Sequence, residues 1–83
     1  MGYTLMKYKP TPVKSFVYRG ILWESGKKYR NSLFVFRKKY DNLKEKFVIE
    51  YAVEYVEPYV PYRTLRTNWV DFCNLDSAKD ISE

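Results

Sequence analysis

The chain reads as mainly β: a small twisted antiparallel sheet or partly open barrel of three to five strands, with one short C-terminal helix. Three features carry that expectation. In FVIEYAVEYV, residues 47–56, the side chains of Phe47, Ile49, Tyr51, Val53 and Tyr55 share one strand face while Glu50 and Glu54 share the other. The run VKSFVYRGILW, residues 13–23, is dense in β-branched and aromatic residues on both alternate faces, as in a central strand. Polar segments separate the apolar runs, ESGKK at 24–28 and DNLKEK at 41–46, and both suit turns. The alternative is an α+β arrangement in which residues 47–56 are helical.

Taken in order, residues 3–8 offer a weak first strand. Residues 13–23 follow, with Gly20 marking a bulge or sharp bend, because an isolated glycine in a strand relieves crowding at such a point. ESGKK then forms a hairpin loop. The return strand runs from Tyr29 or Asn31 to Tyr40, with Phe34, Phe36 and Tyr40 on one face and Arg37 and Lys39 on the other. After the turn at 41–46, a helix capped by Asp41 would line up Leu43, Phe47, Tyr51 and Tyr55 at four-residue steps. The β-branched Val48, Ile49, Val53 and Val56 favour a strand instead.

Pro58 and Pro61 exclude a helix interior or central strand from residues 57–66, which read as a loop leading to a short edge strand. Within it, PYVPYR fits P-x-x-P-x-R, a pattern short enough to arise by chance. Beyond Asn68, a helix N-capped by that residue would bury Trp69, Phe72 and either Cys73 or Leu75. The polar segment 76–83 reads as a frayed tail. With 83 residues and 10.1 kDa the chain makes one domain, 1–83.

Residue usage removes whole classes of chemistry. Cys73 is the single cysteine and histidine is absent, so a Cys/His zinc site, an intrachain disulfide and the usual Ser–His or Cys–His nucleophile pairs have no material. Glu50 and Glu54 would share one strand face about 13 Å apart, and so small a chain leaves little room for a substrate cleft. The expectation is a protein that is not an enzyme, with no cofactor, no metal and no small-molecule substrate. GILWESGKK has the wrong spacing for a phosphate-binding loop, and LFVFRKKY lacks the glycine and ordered pattern of an RNA-recognition motif. The sequence contains no long apolar span or signal-like start, which points to a cytoplasmic protein without membrane contact. Its Lys-, Tyr-, Phe- and Asn-rich composition also suits a small phage product, acting in the host cytoplasm or in the virion.

What remains is binding. Residues 7–46 hold twelve basic against three acidic side chains, net +9, and residues 47–83 hold three against seven, net −4. The basic part is interleaved with aromatics, as a surface gripping nucleic acid through phosphates and stacked bases requires. The expected contact residues are Tyr18, Arg19, Lys27, Lys28, Tyr29, Arg30, Arg37, Lys38 and Lys39, with recognition that ignores sequence. The second expectation is a protein–protein module, since nine tyrosines and two tryptophans exceed what one small core buries easily. Its interface would include Glu50, Glu54, Tyr59 and Tyr62. An acidic protein surface or a second copy of the chain would be the partner, the acidic face of one copy meeting the basic face of another. Cys73 is expected to be an inert core thiol.

Overall fold

The computed structural model describes residues 9–29, 32–56 and 64–83. Its centre is one long antiparallel hairpin, formed by strands β5 (Ser32–Asp41) and β6 (Lys46–Val56) paired from Asp41↔Lys46 to Ser32↔Tyr55. The register runs through ten successive residue pairs without a shift, so both strands pair without a bulge. Asp41 closes the turn, its Oδ1 accepting the N–H of Leu43 at 2.9 Å and of Lys44 at 3.2 Å. The helical alternative for residues 47–56 is excluded by this ladder.

Each outer edge of the hairpin is covered by two short strands laid end to end. On β5 these are β1 (Thr11–Val13) and β4 (Lys27–Tyr29); on β6 they are β7 (Thr64–Arg66) and β8 (Val70–Asn74). Strands β2 (Ser15–Tyr18), β3 (Ile21–Glu24) and β9 (Lys79–Ser82) make a second antiparallel sheet in the order β3-β2-β9. Between the sheets Val13, Phe16, Phe36 and Ile49 are buried together. The Phe72 ring meets those of Phe16, Tyr18, Trp23, Phe36 and Tyr51 edge-on, at centroid distances of 4.9 to 6.0 Å. Edge-to-face pairs at such separations are the favoured aromatic geometry.

The antiparallel β character stands, and several details differ from the sequence reading. The described residues form nine strands in two separate sheets rather than three to five strands in one. Much of the difference arises in residues 13–23. The chain leaves the first sheet after Val13, enters the second at Ser15, and reverses at Arg19–Gly20, where φ is +53° and +74°. Positive φ at both central residues is the signature of the tight two-residue hairpin, so Gly20 makes a turn and not a bulge.

ESGKK is likewise no hairpin loop. Ser25–Gly26 is the corner between the two sheets, and Lys27 and Lys28 already belong to β4.

The C-terminal helix is absent: residues 70–74 are β8, followed by a single 3-10 turn at Leu75–Ser77. The pairing of β8 with β6 steps from Ile49↔Cys73 to Glu50↔Asp71, leaving Phe72 as an extra residue in a bulge. That offset breaks the two-residue period and lets the successive residues Phe72 and Cys73 both pack against the core. Where a frayed tail is expected, Lys79–Ser82 pairs with β2, and the N–H of Lys14 donates to the Ser82 carbonyl at 2.7 Å. Residues 3–8 and the PYVPYR segment lie outside the described residues.

Candidate binding surface

Among the described residues, the expected basic side chains do not form one patch. Successive strand residues face opposite ways, so Arg37 and Lys39 share the outer face of the large sheet while Lys38 points to the other. Arg37 is engaged twice: its Nε donates to Glu50 Oε1 at 2.8 Å, and its guanidinium lies 4.2 Å from the Trp69 ring centroid. Arg66 approaches the same ring at 5.4 Å. Lys38 is paired with Glu83 at 2.9 Å. Tyr18 packs its ring against Phe72, and the exposed Arg19 guanidinium sits 5.3 Å from the Tyr18 ring centroid. Arg30 lies outside the described residues, and of Tyr29 only the strand backbone is described.

The acidic candidates divide similarly. Glu50 is only 6% exposed and takes its basic partner from the neighbouring strand of the same chain. Glu54 is half-buried, in register with Arg66, and lines a cavity of about 330 Å³ with Pro10, Pro12, Arg37 and Trp69. Trp69 Nε1 is buried there without a hydrogen-bond acceptor. Tyr59 and Tyr62 lie outside the described residues. Half-buried Cys73 packs against the core, and burial pushes its thiol pKa up.

A different surface gathers exposed apolar side chains. At the open side of the two sheets, β3 and the β4–β5 pair diverge from the Ser25–Gly26 corner and enclose a cleft of about 300 Å³. Trp23 and Phe36 form its floor, Ile21 and Phe34 its walls, and Leu22, Glu24, Lys27 and Lys28 its rim. Ile21 is 54% exposed, Leu22 56% and Phe34 38%. Of the expected contact residues that are described, Arg19, Lys27, Lys28 and Lys39 carry no ion pair.

The corner is tightly fixed. The Ser25 N–H donates to the Lys14 carbonyl at 2.8 Å, the Gly26 N–H to the Phe34 carbonyl at 2.7 Å, and the Phe36 N–H to Ser25 Oγ at 3.1 Å. Sequence reasoning missed Ile21 and Leu22 because it placed them inside a buried strand. The Arg19–Gly20 pair between two apolar runs was the available signal for a tight turn.

Comparison with protein-family models, with curated proteins and with solved structures finds no match to this chain. Among the described residues no three acidic or cysteine groups converge to hold a metal ion, and no helix is long and apolar enough to cross a membrane.

Proposed function

We propose that this chain is a small non-enzymatic binding module that docks a protein partner in the cleft between β3 and β4–β5. The observation that carries the reading is the collection of Ile21, Leu22 and Phe34 at one opening, rimmed by Lys27 and Lys28. Contiguous exposed apolar surface with a polar rim is characteristic of interaction sites. Two of the three exposed apolar residues at this opening are aliphatic, which suits side-chain packing better than base stacking. The free lysines favour a partner with acidic groups beside its apolar ones.

A second reading is backbone-directed binding of nucleic acid, favoured by the unpaired cations Arg19, Lys27, Lys28 and Lys39. The two are separated by following backbone amide shifts during titration with a pool of acidic, apolar twelve-residue peptides and, separately, with oligo-dT and duplex DNA. Peptide-induced shifts centred on Ile21, Leu22 and Phe34 support docking. Shifts caused only by the oligonucleotides, with affinity that falls steeply as salt rises, overturn it in favour of the second reading.

A further inference from the structure

We infer that the partner's docking segment is an extended strand, apolar on its inner face and acidic at its N-terminal end, that adds antiparallel to the free edge of β3. The inference rests on the protein-docking reading and names the chemistry of its partner.

In an antiparallel pair, residues alternate between those that exchange N–H···O bonds with their partner strand and those whose polar groups point away. The two-residue turn makes Tyr18↔Ile21 a bonded pair, so Phe16↔Trp23 is bonded and Val17↔Leu22 and Ser15↔Glu24 are not. The bond from the Ser25 N–H to the Lys14 carbonyl continues the same alternation. The N–H and C=O groups of Leu22 and Glu24 therefore point outward along the edge. Among the described residues β3 pairs with β2 alone. An edge of this kind is a template for another strand.

Side chains set the partner's pattern. A strand laid on this edge alternates between the inner side, beside Ile21 and Trp23 and above Phe34, and the outer side, beside Leu22 and Glu24. Its inner residues must be apolar. Those beside Glu24 must not be acidic, since like charges in adjacent strands repel. Acidic groups fit best past the corner, where two adjacent lysines, Lys27 and Lys28, carry no ion pair among the described residues; at the opposite end of the edge stands a single cation, Arg19, whose guanidinium already lies against the Tyr18 ring. Because β3 runs toward that corner, an antiparallel partner reaches the lysines with its N-terminal end.

The test uses fluorescein-labelled Glu-Glu-Glu-Thr-Val-Thr-Val-Thr in polarisation titrations, a counterpart beginning Lys-Lys-Lys, and a dT12 oligonucleotide. Two further peptides carry N-methyl groups on the threonine nitrogens or on the valine nitrogens. The acidic peptide should bind at least tenfold more tightly than the basic one, and the Lys27→Glu, Lys28→Glu double variant should invert that preference. Both lysines are exposed, and circular dichroism verifies that the variant keeps its fold. Methylating the threonine nitrogens, which face β3, should weaken binding at least tenfold, whereas methylating the valine nitrogens should not. Hydrogen exchange at the Leu22 and Glu24 amides should slow at least tenfold in the complex.

Peptide binding that ignores threonine methylation and leaves those amides exchanging freely overturns strand addition while the docking reading survives. Failure of both peptides overturns the inference. If dT12 then binds and the double variant abolishes it, the docking reading falls as well. A doubling of mass in light scattering without peptide uptake gives the edge to a second copy and also overturns the inference.

Discussion

Arg37 shows how a single side chain can look like a contact residue in the sequence and act as structure in the fold. It satisfies a carboxylate that is only 6% exposed and covers the Trp69 ring at the same time. Arg37→Ala should therefore cost about 1–3 kcal/mol in urea unfolding, less than a fully buried pair because Arg37 keeps some solvent. The double variant Arg37→Met, Glu50→Leu should recover most of that loss, since it leaves no buried charge behind. Cys73 gives a pH prediction. Burial raises its thiol pKa in the folded state, so as pH climbs past the ordinary thiol range the unfolded chain loses its proton first. Stability should be unaffected by this group below that range and should fall as pH rises toward the folded pKa. Cys73→Ala should flatten that alkaline loss in thermal melts taken across the range.

At the level of strands, the two edges of the β5–β6 hairpin solve one problem in the same way. Each is covered by a strand broken in two, and at each break a backbone N–H would lack its ladder partner. On the β5 side Ser25 Oγ accepts the Phe36 N–H at 3.1 Å; on the β6 side Thr67 Oγ1 accepts the Val53 N–H at 2.9 Å. The Thr67 N–H returns a bond to the Val53 carbonyl at 2.9 Å. Ser25→Ala should destabilise by about 1–3 kcal/mol, the penalty for a part-buried donor left without a partner, and Thr67→Val by about 0.5–1.5 kcal/mol, because its bond is exposed and water can take the freed N–H. Thr67→Ser should retain most of the stability, and a Thr67→Val loss no larger than that of Thr67→Ser in urea unfolding would show the hydroxyl to be dispensable.

This pattern also explains what could be read from the chain beforehand. β6 is legible because Phe47 through Tyr55 alternate without interruption and pair with a strand of nearly equal length. β8 is not, because the bulge at Phe72 abolishes the only periodic signal five residues can carry. The break at Lys14 is silent for a similar reason: one exposed lysine between two apolar runs does not announce that the chain changes sheets.

Across the whole molecule, the division into a basic and an acidic part does not survive folding as a division in space. The ion pairs Arg37–Glu50, Lys38–Glu83 and Lys44–Asp71 each join a base from residues 7–46 to an acid from residues 47–83. The cleft could not be read from linear charge, because its walls come from β3 and β5 and meet only through the corner at Ser25. The two outer ion pairs are solvent-accessible, so Lys38→Ala and Lys44→Ala should each change stability by no more than about 1 kcal/mol. Raising the salt concentration in parallel melts should shrink even that effect.

The union of β2 with β9 also bears on the order of assembly during synthesis. The β5–β6 hairpin is closed by a short turn and can zip up as soon as residue 56 clears the ribosome, whereas the small sheet waits for residues 79–82. Until then Phe16 lacks the flanking strand that completes its side of the core, and the Ile21–Leu22 edge stands beside a half-built sheet. Long-range closure of this kind slows folding. The same apolar edge assigned here to a partner is thus presented to the cellular environment, and to chaperones, before the domain is finished.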